Sequence, residues 1–409
     1  MVRKIFPFLL TSLAIAGVSI FLFSEAQQKS SAEVQYISSG ESNSTPSLSS
    51  KGKWVVVVWT SQQKGGTNVY AATSSDGGRK FGSPVRVNEA NAEADVYGEN
   101  PPRVVVSDQE KSNNIPQILV TWSCGKSSKF KLRSAVSNDG GKSFLPSTSV
   151  GDPKIEGVRG FQSLASGKGN VVAASWLDSR RDPGEPPHAN SGHDWDPMHL
   201  MYGCASGNSW NFERRLATNV CGCCKTAIAT DSHGSVYVAF RNIYPGNLRD
   251  ISLTVSRDGK EFSKPVRVSE DHWSLHACPD DGPTMVVDQK DVVHIVWPTF
   301  VEKPESAMRF FHSATTDGIK FTARKQLQTL GTTKPAHAQM SFDSCGKLSV
   351  VWDEAQGETR RIVYQQLTPL ANGDIQPGQS QIISTIGIAT YPVIASSEKG
   401  IVVAWTESN

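Results

Sequence analysis

Several things are scarce in this sequence, and each scarcity excludes something. Charge is nearly balanced. With 41 Lys and Arg against 39 Asp and Glu, the formal net charge is only +2, too little to hold nucleic acid through a general basic field. No block of like charge suggests a polybasic tail. No long amphipathic helical pattern follows the N-terminus. Cysteine is sparse, 7 in 409 residues, and an odd number cannot all pair. Only one long apolar run occurs, Ile5 to Phe23, behind Arg3 and Lys4. A positive start followed by an apolar stretch near the ~20 residues of a membrane span reads as a signal peptide or an anchor. Ser24-Glu25-Ala26 closes it with small residues that suit a signal peptidase. The organisation expected is therefore a signal or anchor over 1–26, a short linker over 27–32 and one folded unit over 33–409. Either way that unit is exported: periplasmic, secreted or anchored, touching membrane only through the N-terminal segment. No cysteine follows the run, which argues against a lipoprotein.

What is present is repetition. "SSDGGRKF" (74–81), "SNDGGKSF" (137–144), "SRDGKEF" (256–262) and "TTDGIKF" (315–321) share a hydroxyl residue, Asp two later, Gly and an aromatic. Such a segment suits a hairpin turn: the carboxylates of Asp76, Asp139, Asp258 and Asp317 accept backbone N–H groups, and Gly takes positive φ. Short β-branched runs ending in an aromatic also recur, at Trp59, Trp122, Trp176, Phe240, Trp297, Trp352 and Trp405, spaced 63, 54, 64, 57, 55 and 53 residues apart. They are too short for helices and rich in Val, so they read as strands. Four antiparallel strands at this period predict an all-β propeller of four-stranded blades.

The Ser-x-Asp-x-Gly-x-x-Phe turns resemble the Asp-box, or BNR, repeats of the sialidase superfamily, over essentially residues 33–409. The stretch from Cys221 through Gly259 resembles a sialidase-like subgroup carrying Cys-x-Cys-Cys. The resemblance implies a sialidase-like propeller, and sialidases of this type have six blades. The sequence contains seven strand pairs, the last ending at Trp405. We therefore expect seven blades, the last closed by an N-terminal outer strand from Glu33–Ser39, with six as the alternative.

Strand order assigns two faces. The repeated Asp turns fall on one. The loops after the second strands, and the segments leading into each blade, open on the other, where propeller sites are usually built. "NVCGCCKT" and "EDHWSLHACPDDGP" lead into adjacent blades, so Cys221, Cys223, Cys224 and Cys278 are expected to converge, flanked by His272 and His276. Three chemistries suit them: a soft metal, copper or zinc, held by thiolates and His276; a disulfide pinning two blades; or a redox thiol pair. His188, His193, His199, Asp194 and Asp196 form a second candidate metal set.

The resemblance also implies a catalytic set of three arginines for a carboxylate, a Tyr nucleophile with Glu, and an Asp acid/base. The same face offers Arg241, Arg249, Asp250, Tyr244, Asp178 and Arg180 as candidates, with Arg159, Arg181, Asp182 and Glu185 nearby. The chain departs from the sialidase pattern: the Arg-Ile-Pro signature is absent, and "FRNIYPGN" (240–247) echoes it only faintly. Two function classes follow. One is a glycan-acting hydrolase or lyase, exo-sialidase-like. The other is a non-hydrolytic envelope protein that binds copper or zinc, or an interaction scaffold whose partner is a glycan or an envelope protein.

Overall fold

Runs such as Val55–Trp59 and Ile118–Trp122 are buried along their length, as expected of central strands covered on both faces. The computed structural model describes residues 17–24, 34–37, 42–64, 66–89, 94–109, 114–125, 130–155, 157–180, 198–302, 306–331, 334–384 and 387–408. They form a seven-bladed β-propeller of antiparallel sheets, with a single 3-10 turn, Lys168–Asn170, as helix among the described residues. The innermost strands of blades 1 to 7 are Ser42–Lys51, Arg103–Ser107, Arg159–Ser166, Ala227–Thr230, Thr284–Val287, Pro335–Phe342 and Ile388–Ser397. They touch in cyclic order, blade 7 returning to blade 1. The aromatic that follows the β-branched run of each second strand is fully buried in all seven blades. Four of the six tryptophans donate Nε1–H to a side-chain oxygen: Trp59 to Asn43, Trp176 to Asp178, Trp297 to Asp271 and Trp352 to Glu354.

Blade 7 joins the two ends of the chain. Ile388–Ser397 pairs with Gly400–Ser408, which pairs with Gly17–Ser24, which in turn pairs with Val34–Ile37 as the outer strand. Closure by Glu33–Ser39 was expected. The third strand was not, and the ring includes residues ahead of position 33. Val18 and Ile20 point into the core at 0% and 1% exposure, and Ser19 donates to Glu407 at 2.5 Å. An apolar stretch read as a signal or anchor thus also meets the demands of a buried strand.

The four repeated turns share one geometry. Ser74 Oγ donates to Asp76 Oδ1 (2.7 Å), which accepts Lys80 N–H (3.0 Å), and Ser74 Oγ accepts Gly78 N–H (2.9 Å). Asp139, Asp258 and Asp317 accept equivalent bonds. The turns between first and second strands, on the same face, use Asp231, Asp288 and Asp343 similarly, each accepting N–H groups two and four residues later. This face is therefore occupied by self-satisfied turns.

Inside the ring one apolar residue from each innermost strand lines the axis: Leu48, Val104, Leu164, Ile228, Met285, Met340 and Ile394 around a cavity of about 150 Å³. This girdle separates the turn face from the opposite mouth.

Candidate functional site

The mouth opposite the turns is built by a repeated backbone device. In blades 1, 3, 6 and 7 the first strand breaks register with the second, between Ser44 and Ser47, Gly160 and Ser163, Ala336 and Gln339, and Thr390 and Val393. Each bulge holds a non-glycine residue at positive φ: Thr45 (53°), Phe161 (55°), His337 (60°) and Tyr391 (53°). That conformation is strained for such residues, and bulges re-aim side chains. A side chain from the preceding blade, or from the segment leading into it, captures each freed N–H. Thr406 Oγ1 takes Thr45 N–H at 3.1 Å, Asn100 Oδ1 takes Phe161 at 2.7 Å, Asp281 Oδ2 takes His337 at 2.9 Å, and Asp353 Oδ2 takes Tyr391 at 2.9 Å. The strain is thus held by blade-to-blade contacts.

Around this rim lies an ionic cluster of four carboxylates, Glu99, Asp280, Asp281 and Asp353, and four basic side chains, Arg103, Lys225, His337 and Arg360. Lys225 Nζ sits 3.5 Å from Glu99 and 3.4 Å from Asp281, with all three side chains at most 7% exposed. His337 Nε2 faces Glu99 Oε1 at 3.8 Å, and Nδ1 meets Asp353 Oδ2 at 2.6 Å. Arg360 Nε donates to the other Asp353 oxygen at 2.6 Å. The Tyr391 ring lies on His337, centroids 4.1 Å apart. It also lies against Gly98, where a Cβ would come within 2.2 Å of its hydroxyl, so only glycine fits. Tyr97, half-exposed, packs edge-on against Phe161. Gly282 is required for a similar reason: a Cβ there would sit 2.1 Å from the Lys225 carbonyl.

Burial shifts these groups in a useful direction. It raises the Glu99 carboxyl above the ordinary carboxylate range, against the pull of Lys225. Glu99 Oε2 is buried without a hydrogen-bond partner. Burial also raises the exposed-rim Asp280, Tyr97, and Tyr391, the last to about 12. For His337 burial alone would lower the value, but Asp353, Glu99 and Asp281 outweigh it and carry it to about 9, so the ring is cationic at neutral pH. The mouth therefore offers a carboxyl able to hold a proton, a fixed imidazolium and two aromatic rings.

The catalytic candidates expected from sequence form two separate networks, one of which reaches the mouth cluster through the Asp281 carbonyl. In blade 3, Asp178 (fully buried) pairs with Arg180, and with Arg159 at 3.1 Å; Arg180 also pairs with Glu213. Arg159 further donates to the carbonyls of Val150, Asp152 and Ile155. In blade 4, Arg241 is 1% exposed and donates to the carbonyls of Arg249, Asp281 and Pro298, beneath the Trp273 ring. Arg249 donates to Asn247 Oδ1 and Cys221 Sγ. Tyr244 bonds Ser252 under the Arg267 guanidinium, and Asp250 is fully buried 3.4 Å from Arg267. The two sets share no hydrogen bond or ion pair among the described residues, and their guanidinium groups are engaged with protein atoms. Arg181, Asp182, Glu185, His188, His193, Asp194 and Asp196 lie outside the described residues, and His199 is a buried strand residue of blade 3.

The cysteines do converge. Cys223 and Cys278 form a disulfide joining the segments that lead into blades 4 and 5. Cys221 Sγ lies 3.7 Å from Cys223 Sγ and 3.4 Å from Cys224 Sγ. A hydrogen bond from Cys224, with Arg249 and Arg241 close by, lowers Cys221 to about 6 despite burial; burial and Cys221 push Cys224 up. The sulfurs of Cys221, Cys223 and Cys224, and those of Cys223 and Cys278 with Asp280, are close enough to hold one ion only with the disulfide reduced. His272 is exposed beside Glu270, and His276 is exposed. Cys124 is buried at the end of its strand, Cys204 meets the Tyr202 hydroxyl and Cys345 lies in a turn.

No family model matches the chain, and no curated protein matches it by sequence. Solved structures do match. An ulvan lyase of polysaccharide lyase family PL25 superposes with a TM-score of 0.54 at 8% identity, covering 88% of this chain and 90% of its own. The α-L-arabinofuranosidase Arb93A from Fusarium graminearum gives 0.47 at 12% identity, over 90% and 98%. A Hadza microbial sialidase gives 0.44 at 12%, over 96% and 90%. At these identities the likeness establishes the propeller fold alone.

Proposed function

We propose that the protein acts on glycans at the axial mouth, with Glu99 as proton donor and acceptor and with Tyr97 and Tyr391 as stacking surfaces for sugar rings. The observation that carries this reading is the buried Glu99 carboxyl, raised by burial, whose Oε2 has an ion pair with Lys225 but no hydrogen bond, two residues from the exposed Tyr97 ring. A carboxylic acid tuned upward by burial is the usual device for protonating a leaving oxygen near neutral pH. His337, held cationic by Asp353, supplies a fixed positive charge for an acidic sugar or a developing anion. The PL25 ulvan lyase is a fold-level parallel for a glycan-acting propeller. An extracytoplasmic location belongs to the same reading, supported by the Cys223–Cys278 disulfide, a bond that persists in oxidising compartments.

The test is turnover and binding of the full chain on aryl glycosides, sialosides and uronate-containing polysaccharides, with elimination followed by ultraviolet absorbance. Turnover that falls about 100-fold or more in Glu99→Gln is expected, with weakened binding in Tyr97→Ala. An absence of turnover and binding across the panel, or activity indifferent to both substitutions, refutes the assignment.

A further inference from the structure

The four clustered cysteines form a series. Cys278, exposed, is bonded to Cys223; Cys223 Sγ is 3.7 Å from Cys221 Sγ; Cys221 Sγ is 3.4 Å from Cys224 Sγ. The last three are buried at 6%, 1% and 2% exposure. Arg249 Nη1 lies 3.3 Å from Cys221 Sγ. A guanidinium against a buried sulfur favours its thiolate, the form that attacks disulfides. Every consecutive pair in the series is bonded or within reach of a modest side-chain rotation. A purely structural staple needs Cys223 and Cys278 alone; it gives no reason to bury two further thiols and a cation beside them.

We infer that Cys221, Cys223, Cys224 and Cys278 are a thiol–disulfide relay that carries two electrons between the interior of blade 4 and the surface. In the first step the Cys221 thiolate attacks Cys223 Sγ, forming a Cys221–Cys223 bond. The Cys223–Cys278 bond breaks, and Cys278 leaves as a thiolate that takes a proton from solvent. In the second step Cys224 gives up its proton and attacks Cys221 Sγ. A Cys221–Cys224 disulfide forms, and Cys223 leaves and takes up that proton. Two thiols are oxidised and one disulfide is reduced, so the exchange is balanced within the chain. The partner at the surface is a thiol or disulfide compound, which exchanges with Cys278 in the same way. Lys225 follows Cys224 directly and pairs with Glu99 and Asp281, so the relay adjoins the axial mouth without depending on any role for it.

The test is peptide mapping of the full wild-type chain after equilibration in reduced and oxidised glutathione, acid quench and differential alkylation. The relay predicts two interconverting disulfide isomers, Cys223–Cys278 and Cys221–Cys224, with Cys278 labelled in the second. It also predicts that Cys224→Ser loses the second isomer while Cys221–Cys223 becomes detectable. A single Cys223–Cys278 disulfide at every redox ratio, with Cys221 and Cys224 always thiols, overturns the proposal. So does near-stoichiometric zinc or copper retained by the reduced protein with all four thiols shielded from alkylation. The wild-type mapping decides the matter even if the variant fails to fold.

Discussion

The most exacting prediction concerns His337, because its sign and size both follow from the structure. The imidazole is 16% exposed and sits between Asp353 at 2.6 Å and Glu99 at 3.8 Å, with its backbone N–H held by Asp281. Its value in the fold is about 9, against an ordinary 6.5. A group raised in the folded state binds its proton more tightly there. Its contribution is therefore complete below pH 6.5 and disappears as pH rises through 9. At 1.36 kcal/mol per pH unit, the difference amounts to about 3 kcal/mol. The perturbation is His337→Gln, which keeps a hydrogen-bonding side chain but cannot charge. Urea unfolding of both proteins at half-unit steps from pH 6 to 10 should show wild type ahead by about 3 kcal/mol at the acid end, with the gap closing near pH 9. Subtracting the variant removes the titrating groups that do not face His337, Cys221 among them, to first order; Glu99 and Asp280, which its charge lowers, change with it. Heteronuclear NMR of labelled histidine should place the midpoint near 9 independently. A gap constant across the range, or a midpoint at or below 6.5, would falsify the ionic account of the mouth.

Three further outcomes follow. Arg241→Ala should destabilise by about 3 kcal/mol or more, because it leaves three buried carbonyls without their donor; thermal or urea unfolding checks this, and near-wild-type stability would contradict it. A chain lacking residues 1–26 loses Gly17–Ser24 and with it the burial of Val18 and Ile20; at about 1.5–3 kcal/mol per side chain the deficit is about 3–6 kcal/mol, read as early proteolysis of blade 7, and equal protease resistance would show that the strand is dispensable. Asp139 is held down to about 2 by bonds from Ser143, Ser137 and Lys142 that outweigh its burial, so its contribution is present above pH 3.8 and lost as pH falls through 2. The stability gap between wild type and Asp139→Ala should accordingly vanish in strong acid, and a gap that persists there would point to packing instead.

The blades were legible because each repeats a local signal. Burial on both faces demands the Val-rich run, the closing aromatic fills the space between neighbouring blades, and the Asp turn satisfies its own backbone. The axial mouth repeats nothing in residue type. Glu99, Lys225, Asp281, His337 and Tyr391 each occur once, in different blades, and meet only through ring closure. One positional signal was available. Thr45, Phe161, Lys225, Asp281, His337 and Tyr391 all stand 14 to 16 residues before the buried aromatic of their blade. Counting back from Trp176, Phe240, Trp297, Trp352 and Trp405 would have found these positions but not Glu99, which stands outside that spacing. The arginines attracted attention instead because of their number and loop positions. Arg241 shows that such a signal has two readings: a guanidinium has five donors, which suit the stitching of carbonyls between blades as well as they suit a ligand.

The seam in blade 7 also has a consequence in time. Ser19 bonds Glu407 across 388 residues of sequence. At ~5–20 residues per second, a ribosome takes about 20–80 s between making the two partners. For that interval Gly17–Ser24, paired on one edge with Val34–Ile37, carries one bare hydrogen-bonding edge and an apolar face with no mate, while six blades assemble behind it. An unpaired strand of this kind invites other chains to dock. Synthesis rate and the company the nascent chain keeps thus become determinants of yield, and slowing the ribosome would lengthen the exposure without altering a single contact in the finished ring.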